Sequence, residues 1–232
     1  MARCVAGPLP VDAASNATAW NAVALDEATS PPPDGLTRFE WTGWPGRGPG
    51  LEILGDLTGA RVAELGCGTG EHAALLPRHG TRQVYGVDVA DARIQQARRR
   101  WRHVPGIMWL SGDAPAVLGG LPPLDVCYSI YGALWYAAPA RVLPAIHARL
   151  MPGGLLAFSA NAPRAGEPSG QRADNLAING MRLPVIYYTH TAEEWRQLLL
   201  AQGFTDISFV HVTAPQSGPY KTLVVTARRP HN

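Results

Sequence analysis

Short, nearly continuous apolar runs alternate along the chain with longer stretches in which apolar residues recur every three or four positions. Arg61-Val-Ala-Glu-Leu65 is such a run, ended by glycines, the pattern of a strand buried on both faces. Gln83–Val87, Ile107–Leu110, Leu124–Ser129 and Leu155–Ser159 repeat it. Between them the spacing predicts helices from Glu71 toward His79, over Asp91–His103 with Ile94, Ala97 and Trp101 on one face, and over Ala140–Met151 before Pro152-Gly153-Gly154. Thr191-Ala-Glu-Glu194 reads as a capping box opening a helix that ends at Gly203, and two closing strands follow at Asp206–Val212 and Thr222–Ala227. Strands and helices alternating at this spacing predict parallel βαβ units and a doubly wound α/β sheet. Such sheets bind ligands beyond the carboxyl ends of their strands, where the strand order reverses.

Two segments break the alternation. Residues 30–50 are rich in Pro and Gly and carry Trp41 and Trp44; a second irregular stretch runs from Ala162 to Pro184. Loops of this length in a domain are usually lids or linkers. The expected organisation is therefore a lid or acceptor-side segment over 1–50 and a ligand-binding domain over 51–232 with a lid insertion at 161–190.

At 232 residues and 46% hydrophobic, the chain suits one folded domain rather than a disordered protein. No run approaches the roughly 20 apolar residues of a membrane span, and Met1–Pro10 is too short and too Pro-broken for a signal peptide. Cys4, Cys67 and Cys127 lack metal or disulfide spacing, so reduced thiols in a cytoplasm are expected, with no metal. Net charge is +2 and the one basic cluster, Arg98-Arg99-Arg100-Trp101-Arg102, reads as a solvated helix side; neither a nucleic-acid nor a membrane partner is expected.

The chemistry centres on Val62-Ala-Glu-Leu-Gly66-Cys-Gly68-Thr-Gly70-Glu-His72, a strand running through alternate glycines into a helix. Glycines permit a sharp turn and close ligand approach, and a helix N-terminus offers unpaired N–H groups. The dinucleotide fingerprint G-x-G-x-x-G is not met, because Glu71 follows Gly70. A ligand with a zwitterionic tail suits G-x-G-x-G preceded by Glu64 better than a pyrophosphate does. Asp88, ending the second strand, is placed to accept from two ribose hydroxyls, or it caps the next helix. Asp113, after the third strand, is placed to accept from an adenine amino group, or it too is a cap.

In this order the motifs resemble those of class I, Rossmann-like S-adenosylmethionine-dependent methyltransferases of the small-molecule kind. Glu64-Leu-Gly-Cys-Gly-Thr-Gly70 matches the family's first motif, Asp88 its ribose acid and Gly112-Asp113-Ala114 its adenine site. Leu124–Tyr131 matches the fourth-strand motif, and Leu150-Met-Pro-Gly-Gly154 the run that follows the next helix. The resemblance covers roughly residues 50–227. It implies a mostly parallel seven-stranded sheet whose last strand is antiparallel and inserted beside the edge. It also implies S-adenosylmethionine as cofactor and S-adenosylhomocysteine as product, with Glu64, Gly66, Cys67, Gly68, Gly70, Asp88, Val89, Gly112, Asp113, Ala114 and Ser129 as cofactor-binding residues. Val89 would pack on the adenine and Ser129 lie near the methionine portion. Gly-Ala-Leu-Trp-Tyr136 is similar to bacterial enzymes acting on secondary metabolites, which implies antibiotic-type biosynthesis.

Methyl transfer demands chiefly that the acceptor be positioned about 3–3.5 Å from the methyl group. Tyr131, Trp135 and Tyr136 follow the fourth strand and face that position in the resembled fold. Trp20, Trp41, Trp44, Tyr187 and Tyr188 could complete an aromatic acceptor pocket, although Trp41 and Trp44 could equally staple a glycine-rich loop to the core. His190 is the first nominee for a general base, with Tyr131 as the other catalytic candidate; His72 is read as facing solvent or the cofactor tail. The expected reaction is methyl transfer to O, N or C of a small, aromatic metabolite. A nicotinamide-dependent oxidoreductase, a non-catalytic cofactor-binding subunit and a cofactor-assisted cyclisation or decarboxylation are the alternatives.

Overall fold

The computed structural model describes residues 8–27, 38–164, 166–215 and 221–231; Cys4, residues 30–37 of the first irregular segment and Ala165 of the second lie outside them. In chain order the elements are α1 (Val11–Glu27), β1 (Arg61–Leu65), α2 (Glu71–Leu75), β2 (Gln83–Asp88), α3 (Asp91–Arg100), β3 (Ile107–Ser111), α4 (Ala114–Gly119), β4 (Leu124–Ile130), α5 (Ala133–Tyr136) and α6 (Pro139–Arg149). There follow β5 (Leu150–Asn161), β6 (Gly170–Ile178), β7 (Met181–Thr189), α7 (Ala192–Ala201), β8 (Thr205–Thr213) and β9 (Lys221–Arg228).

Seven strands form one sheet in the order β3-β2-β1-β4-β5-β9-β8. The first five are parallel, and β9 runs antiparallel between β5 and β8, as the resemblance implied. Side chains alternate across the sheet with period two. Ala63, Leu65, Tyr85, Val87, Leu223 and Val225 join one core with α4, α6 and the Trp195 face of α7. Val62, Val84, Tyr128 and Val224 join the other with Ile94 and Ala97 of α3 and with Trp41. Burial on both faces explains why these strands are apolar throughout. At β1 the strand order reverses, with β2 on one side and β4 on the other, and the parallel strands deliver Leu65, Asp88, Ser111 and Ile130 to one edge of the sheet.

Three departures from the expected pattern matter for the site. Helix α1 has no counterpart in the predicted elements. It packs on β7 and α3, and Asn16 is 1% exposed, its Nδ2 donating to Tyr136 O (2.9 Å) and Ile186 O (2.8 Å) while its Oδ1 accepts from Ile186 N (2.9 Å). The stretch expected to be irregular up to Pro184 instead contains the antiparallel hairpin β6–β7, paired from Gly170↔Thr189 to Ile178↔Met181. Its two-residue turn is Asn179-Gly180, both at positive φ (50° and 77°), as a hairpin turn matching the strand twist requires. Lastly, the helix expected from Glu71 to His79 is α-helical only to Leu75, after which Leu76–His79, with a proline, tightens into a 3₁₀ turn.

Candidate active site

The glycine loop after β1 is folded against β2 by backbone hydrogen bonds. Gly66 N and Cys67 N both donate to Val87 O (2.7 and 3.0 Å), and Gly68 N donates to Asp88 Oδ2 (2.8 Å). Gly66 is needed for proximity: a Cβ there would lie 2.5 Å from Gly132 Cα, at φ +79°. At Gly70 a Cβ would lie 2.3 Å from the Trp109 ring, so this glycine serves helix-to-strand packing and does not line the cleft. Gly68 differs from both, because a Cβ there meets nothing within 4 Å.

Above this loop lies a cleft of about 530 Å³ at the carboxyl edge of the sheet. The loop supplies Gly66, Cys67 and Gly68, β1 supplies Glu64, the end of β2 supplies Asp88 and Val89, and the β3–α4 junction supplies Gly112, Asp113 and Ala114. The sequence named all nine. Tyr131 and Tyr136 form part of the wall after β4, and Trp20 closes it from α1, its ring 5.6 Å from Tyr136. The sequence reading missed Ala13, Asn16 and Glu27 of α1, Glu71 and Arg93, and Gly132. His72 also lines the cleft.

Carboxylates dominate the electrostatics. Glu64 is 2% exposed and accepts from the Tyr128 hydroxyl at 3.0 Å. Burial pushes its pKa well up, and Glu71 and Asp88 push the same way. Asp88 is also raised by burial, although Ala90 N (2.8 Å) and Gly68 N donate to its two oxygens. Glu71 pairs with Arg100, and Asp113 accepts from both terminal nitrogens of Arg141 (3.0 and 3.3 Å). Arg141 bridges on to Asp12 of α1 at 3.2 Å, so the helix that roofs the cleft is tied to its floor by an Asp12–Arg141–Asp113 chain. Glu27 is held by Arg93 at 2.5 Å. His72 stands 4.0 Å from Glu64 and edge-on to Phe39; burial lowers its pKa to about 4, so it is neutral at pH 7.

Several expected site residues lie elsewhere. Ser129 is fully buried: its Oγ donates to Leu65 O (2.7 Å) and accepts from Leu134 N (3.3 Å), tying the end of β4 to β1 and α5 rather than reaching the cleft. Trp41 is fully buried, donates to Gly50 O (2.9 Å) and packs on Phe39 and Tyr128, which is the loop-staple alternative. Tyr188 is buried under α1, its hydroxyl 3.4 Å from Asp12 Oδ2 and 3.3 Å from Gln171 Oε1, either of which can accept its one proton. His190 lines neither this cleft nor the smaller pocket described next. The capping box at Thr191 and Glu194 turns the chain into α7 directly after it, and its ring packs edge-on to Trp195, where burial lowers its pKa.

Trp44 and Trp135 line a second, open pocket of about 380 Å³, formed with Gly43, Tyr131 and Asn161. Tyr131 borders both cavities. It sits at φ +45°, a conformation rare outside glycine, and its hydroxyl is bonded to Thr222 Oγ1. Burial raises the pKa of that hydroxyl, and the pKa of Tyr136 rises to about 12 for the same reason, so neither is a ready base. Tyr187 stands edge-on to Trp135, with centroids 5.7 Å apart, behind this wall.

Among the described residues no helix is long and apolar enough to cross a membrane. Residues 62–154 match the family described as a methyltransferase domain. A trans-aconitate 2-methyltransferase of Methylobacterium nodulans is 35% identical over 99 residues, 42% of this chain and 37% of that protein. The chain thus spans well under two thirds of that relative. Among solved structures, the [4+2]-cyclase SpnF superposes with a TM-score of 0.68 at 19% identity, over 97% of this chain and 99% of that one. The 1,6-didemethyltoxoflavin-N1-methyltransferase of Burkholderia thailandensis, with bound 1,6-didemethyltoxoflavin and S-adenosylhomocysteine, gives 0.66 at 22% identity, over 97% and 93%. At these identities the superpositions speak for the fold. The superpositions show the fold of Rossmann-like methyltransferases, and residues 62–154 are similar to a methyltransferase domain.

Proposed function

We propose that the protein transfers a methyl group from S-adenosylmethionine to an O, N or C atom of a small, aromatic metabolite. The observation that carries the cofactor is the charge of the cleft. Glu64, Glu71, Asp88, Asp113 and Glu27 line it, and Arg93 is the one arginine or lysine among its described lining residues. Two of the acids, Glu64 and Asp88, are held toward protonation by burial. Buried carboxylates are eased by a nearby cation and strained further by an anion. A ligand with an ammonium and a sulfonium answers that need, whereas the pyrophosphate of a nicotinamide dinucleotide would bring two negative charges to the same loop.

When bound, S-adenosylmethionine supplies an electrophilic methyl group on cationic sulfur, and in-line displacement leaves S-adenosylhomocysteine. The chain's own residues bind, orient and shield. Gly68 lets the ligand approach the backbone, Asp88 offers its remaining lone pairs to ribose hydroxyls, and Val89 and Ala114 give an apolar seat beside Asp113. Trp20 and α1 roof the cleft and exclude water. Tyr131, common to both cavities, marks where an acceptor in the aromatic pocket would meet the methyl group. Positioning of the acceptor beside the methyl group supplies the rate enhancement.

Calorimetric titration with S-adenosylhomocysteine and, separately, NADH tests this reading, with Gly68→Asn as control because Asn tolerates positive φ and adds bulk at the open glycine. Saturable binding of the homocysteine compound, lost in the variant, is expected. Preferential NADH binding would overturn the reading. Methyl transfer to a panel of phenols, naphthols and N-heterocycles then separates an enzyme from a non-catalytic cofactor-binding subunit.

A further inference from the structure

We infer that the acceptor is planar and carries no anionic group, the acceptor pocket offering an anion no partner. This rests on the methyltransferase reading and adds the acceptor's class. No charged residue is found among the described residues lining the second pocket, whose walls are Trp44, Tyr131 and Trp135. The Tyr131 and Trp135 rings stand 5.5 Å apart, and Trp135 Nε1 is buried without a hydrogen-bond partner. Flat aromatic walls without charge suit a planar, uncharged occupant.

The neighbouring cleft offers an anion nothing. Its arginine, Arg93, is committed to Glu27, and Arg141 behind it is committed to Asp12 and Asp113. The cleft's histidine, His72, packs against Phe39 and is neutral at pH 7. A carboxylate entering beside Tyr131 would therefore find no free arginine, lysine or protonated histidine among the described lining residues. Discrimination against an unpaired anion is strong, because no partner offsets its desolvation. A polycarboxylate of the trans-aconitate type, named for the relative above, is the acceptor class that this arrangement excludes.

The test uses the intact protein saturated with S-adenosylhomocysteine and a matched pair of planar probes, 1-naphthol and 1-naphthoate, with trans-aconitate as a third arm. Binding is read by calorimetry and saturation-transfer NMR. We expect 1-naphthol to bind saturably, 1-naphthoate about tenfold or more weakly, and trans-aconitate not at all. Trp135→Ala should weaken 1-naphthol by about tenfold, and further than it weakens the homocysteine compound, which lies beyond the Tyr131 and Tyr136 rings that Trp135 supports. Asn161→Arg, which adds a guanidinium to the pocket wall, should reverse the naphthol-to-naphthoate preference.

Equal or tighter binding of 1-naphthoate or trans-aconitate by the unsubstituted protein would overturn the inference, as would failure of 1-naphthol to bind. An Asn161→Arg protein that still prefers naphthol would overturn it as well. If S-adenosylhomocysteine itself fails to bind, the methyltransferase reading falls, and this inference with it; if it binds and the probes misbehave, the acceptor class alone is wrong.

Discussion

Gly66 and Gly68 stand two residues apart in one loop, both at positive φ, and the structure assigns them opposite tasks. A Cβ on Gly66 would lie 2.5 Å from Gly132 Cα, 2.6 Å from Ala133 N and 2.9 Å from Gly132 C, all backbone atoms that cannot rotate aside. Carbon atoms in good contact are about 3.5–4.0 Å apart, so the two loops must part by about an ångström. Gly66→Ala therefore adds an overpacking cost of roughly 1–3 kcal/mol to the left-handed backbone cost of roughly 1–2 kcal/mol, a total of about 2–5 kcal/mol. Gly68→Ala, at φ +54° with nothing within 4 Å of its Cβ, carries only the backbone part, about 1–2 kcal/mol. Urea denaturation followed by tryptophan fluorescence measures both, and calorimetry with S-adenosylhomocysteine measures the site. Gly66→Ala should be more destabilising than Gly68→Ala by about 1–3 kcal/mol, with the lower unfolding midpoint at similar slope. Gly68→Ala should stay folded yet bind the ligand more weakly, since Gly68 lines the cleft. Gly66→Ala proving no more destabilising than Gly68→Ala would refute the claim that the loops after β1 and β4 are in enforced contact.

Three further outcomes are expected. His72 titrates at about 4 in the folded protein against 6.5 when free, so its contribution is intact above pH 6.5 and is lost as pH falls toward 4, at about 1.4 kcal/mol per pH unit and roughly 3 kcal/mol in all. His72→Leu should flatten that part of the stability–pH curve; an unchanged slope between these limits would contradict the assignment. Arg141→Met removes the link from Asp12 to Asp113 and, with the arginine partly exposed, should cost about 1–3 kcal/mol and speed amide exchange in α1; unaltered exchange over Val11–Glu27 would count against the tether. Since burial raises the pKa of Glu64 and of Asp88, a cationic ligand that favours their ionised forms displaces protons wherever the free protein carries them on these groups. S-adenosylmethionine affinity should accordingly rise with pH and the binding heat depend on the buffer's ionisation enthalpy, and a pH-independent affinity with no proton release would argue against a carboxylate-lined cofactor site.

The seven-stranded sheet was legible because its strands are buried on both faces, and a short run apolar at nearly every position suits neither an amphipathic helix nor a half-exposed strand. The carboxylates Glu64, Asp88 and Asp113 were legible for a related reason: parallel strands in register bring their ends to a common edge, so an acid ending each of several strands converges on one cleft. Helix α1 was not, because the positions it buries include Asp12, Ala13, Asn16 and Ala17, small or polar residues that leave no apolar stripe to detect. Its attachment depends on Asn16 satisfying three backbone groups, contacts that span 120 to 170 positions. The β6–β7 hairpin did carry a signal, Asn179-Gly180 between extended segments, but Pro184 and the polar residues of β6 made the stretch read as irregular. His190 failed as a base for a local reason. The capping box that follows it correctly predicted where α7 begins, and that same turn sends the imidazole onto Trp195 and away from the cleft.

The residues nominated for ligand binding also hold the site together, and this bears on how a loss of binding is to be understood. Asp88 accepts the amides of Gly68 and Ala90, so it shapes the glycine loop as well as facing the cleft. Asp88→Asn is consequently not a conservative change, since an amide NH₂ turned toward Gly68 N would set donor against donor, and removal of a partner from a buried donor costs about 1–3 kcal/mol. Asp113 is likewise engaged with Arg141, and through it with α1, so a ligand group drawing on Asp113 competes with the tether that closes the cleft. Substitution of either aspartate confounds loss of a ligand contact with loss of the cleft's shape. Gly68 avoids that confusion because its Cβ direction is open, and the cofactor reading is for that reason tested through it.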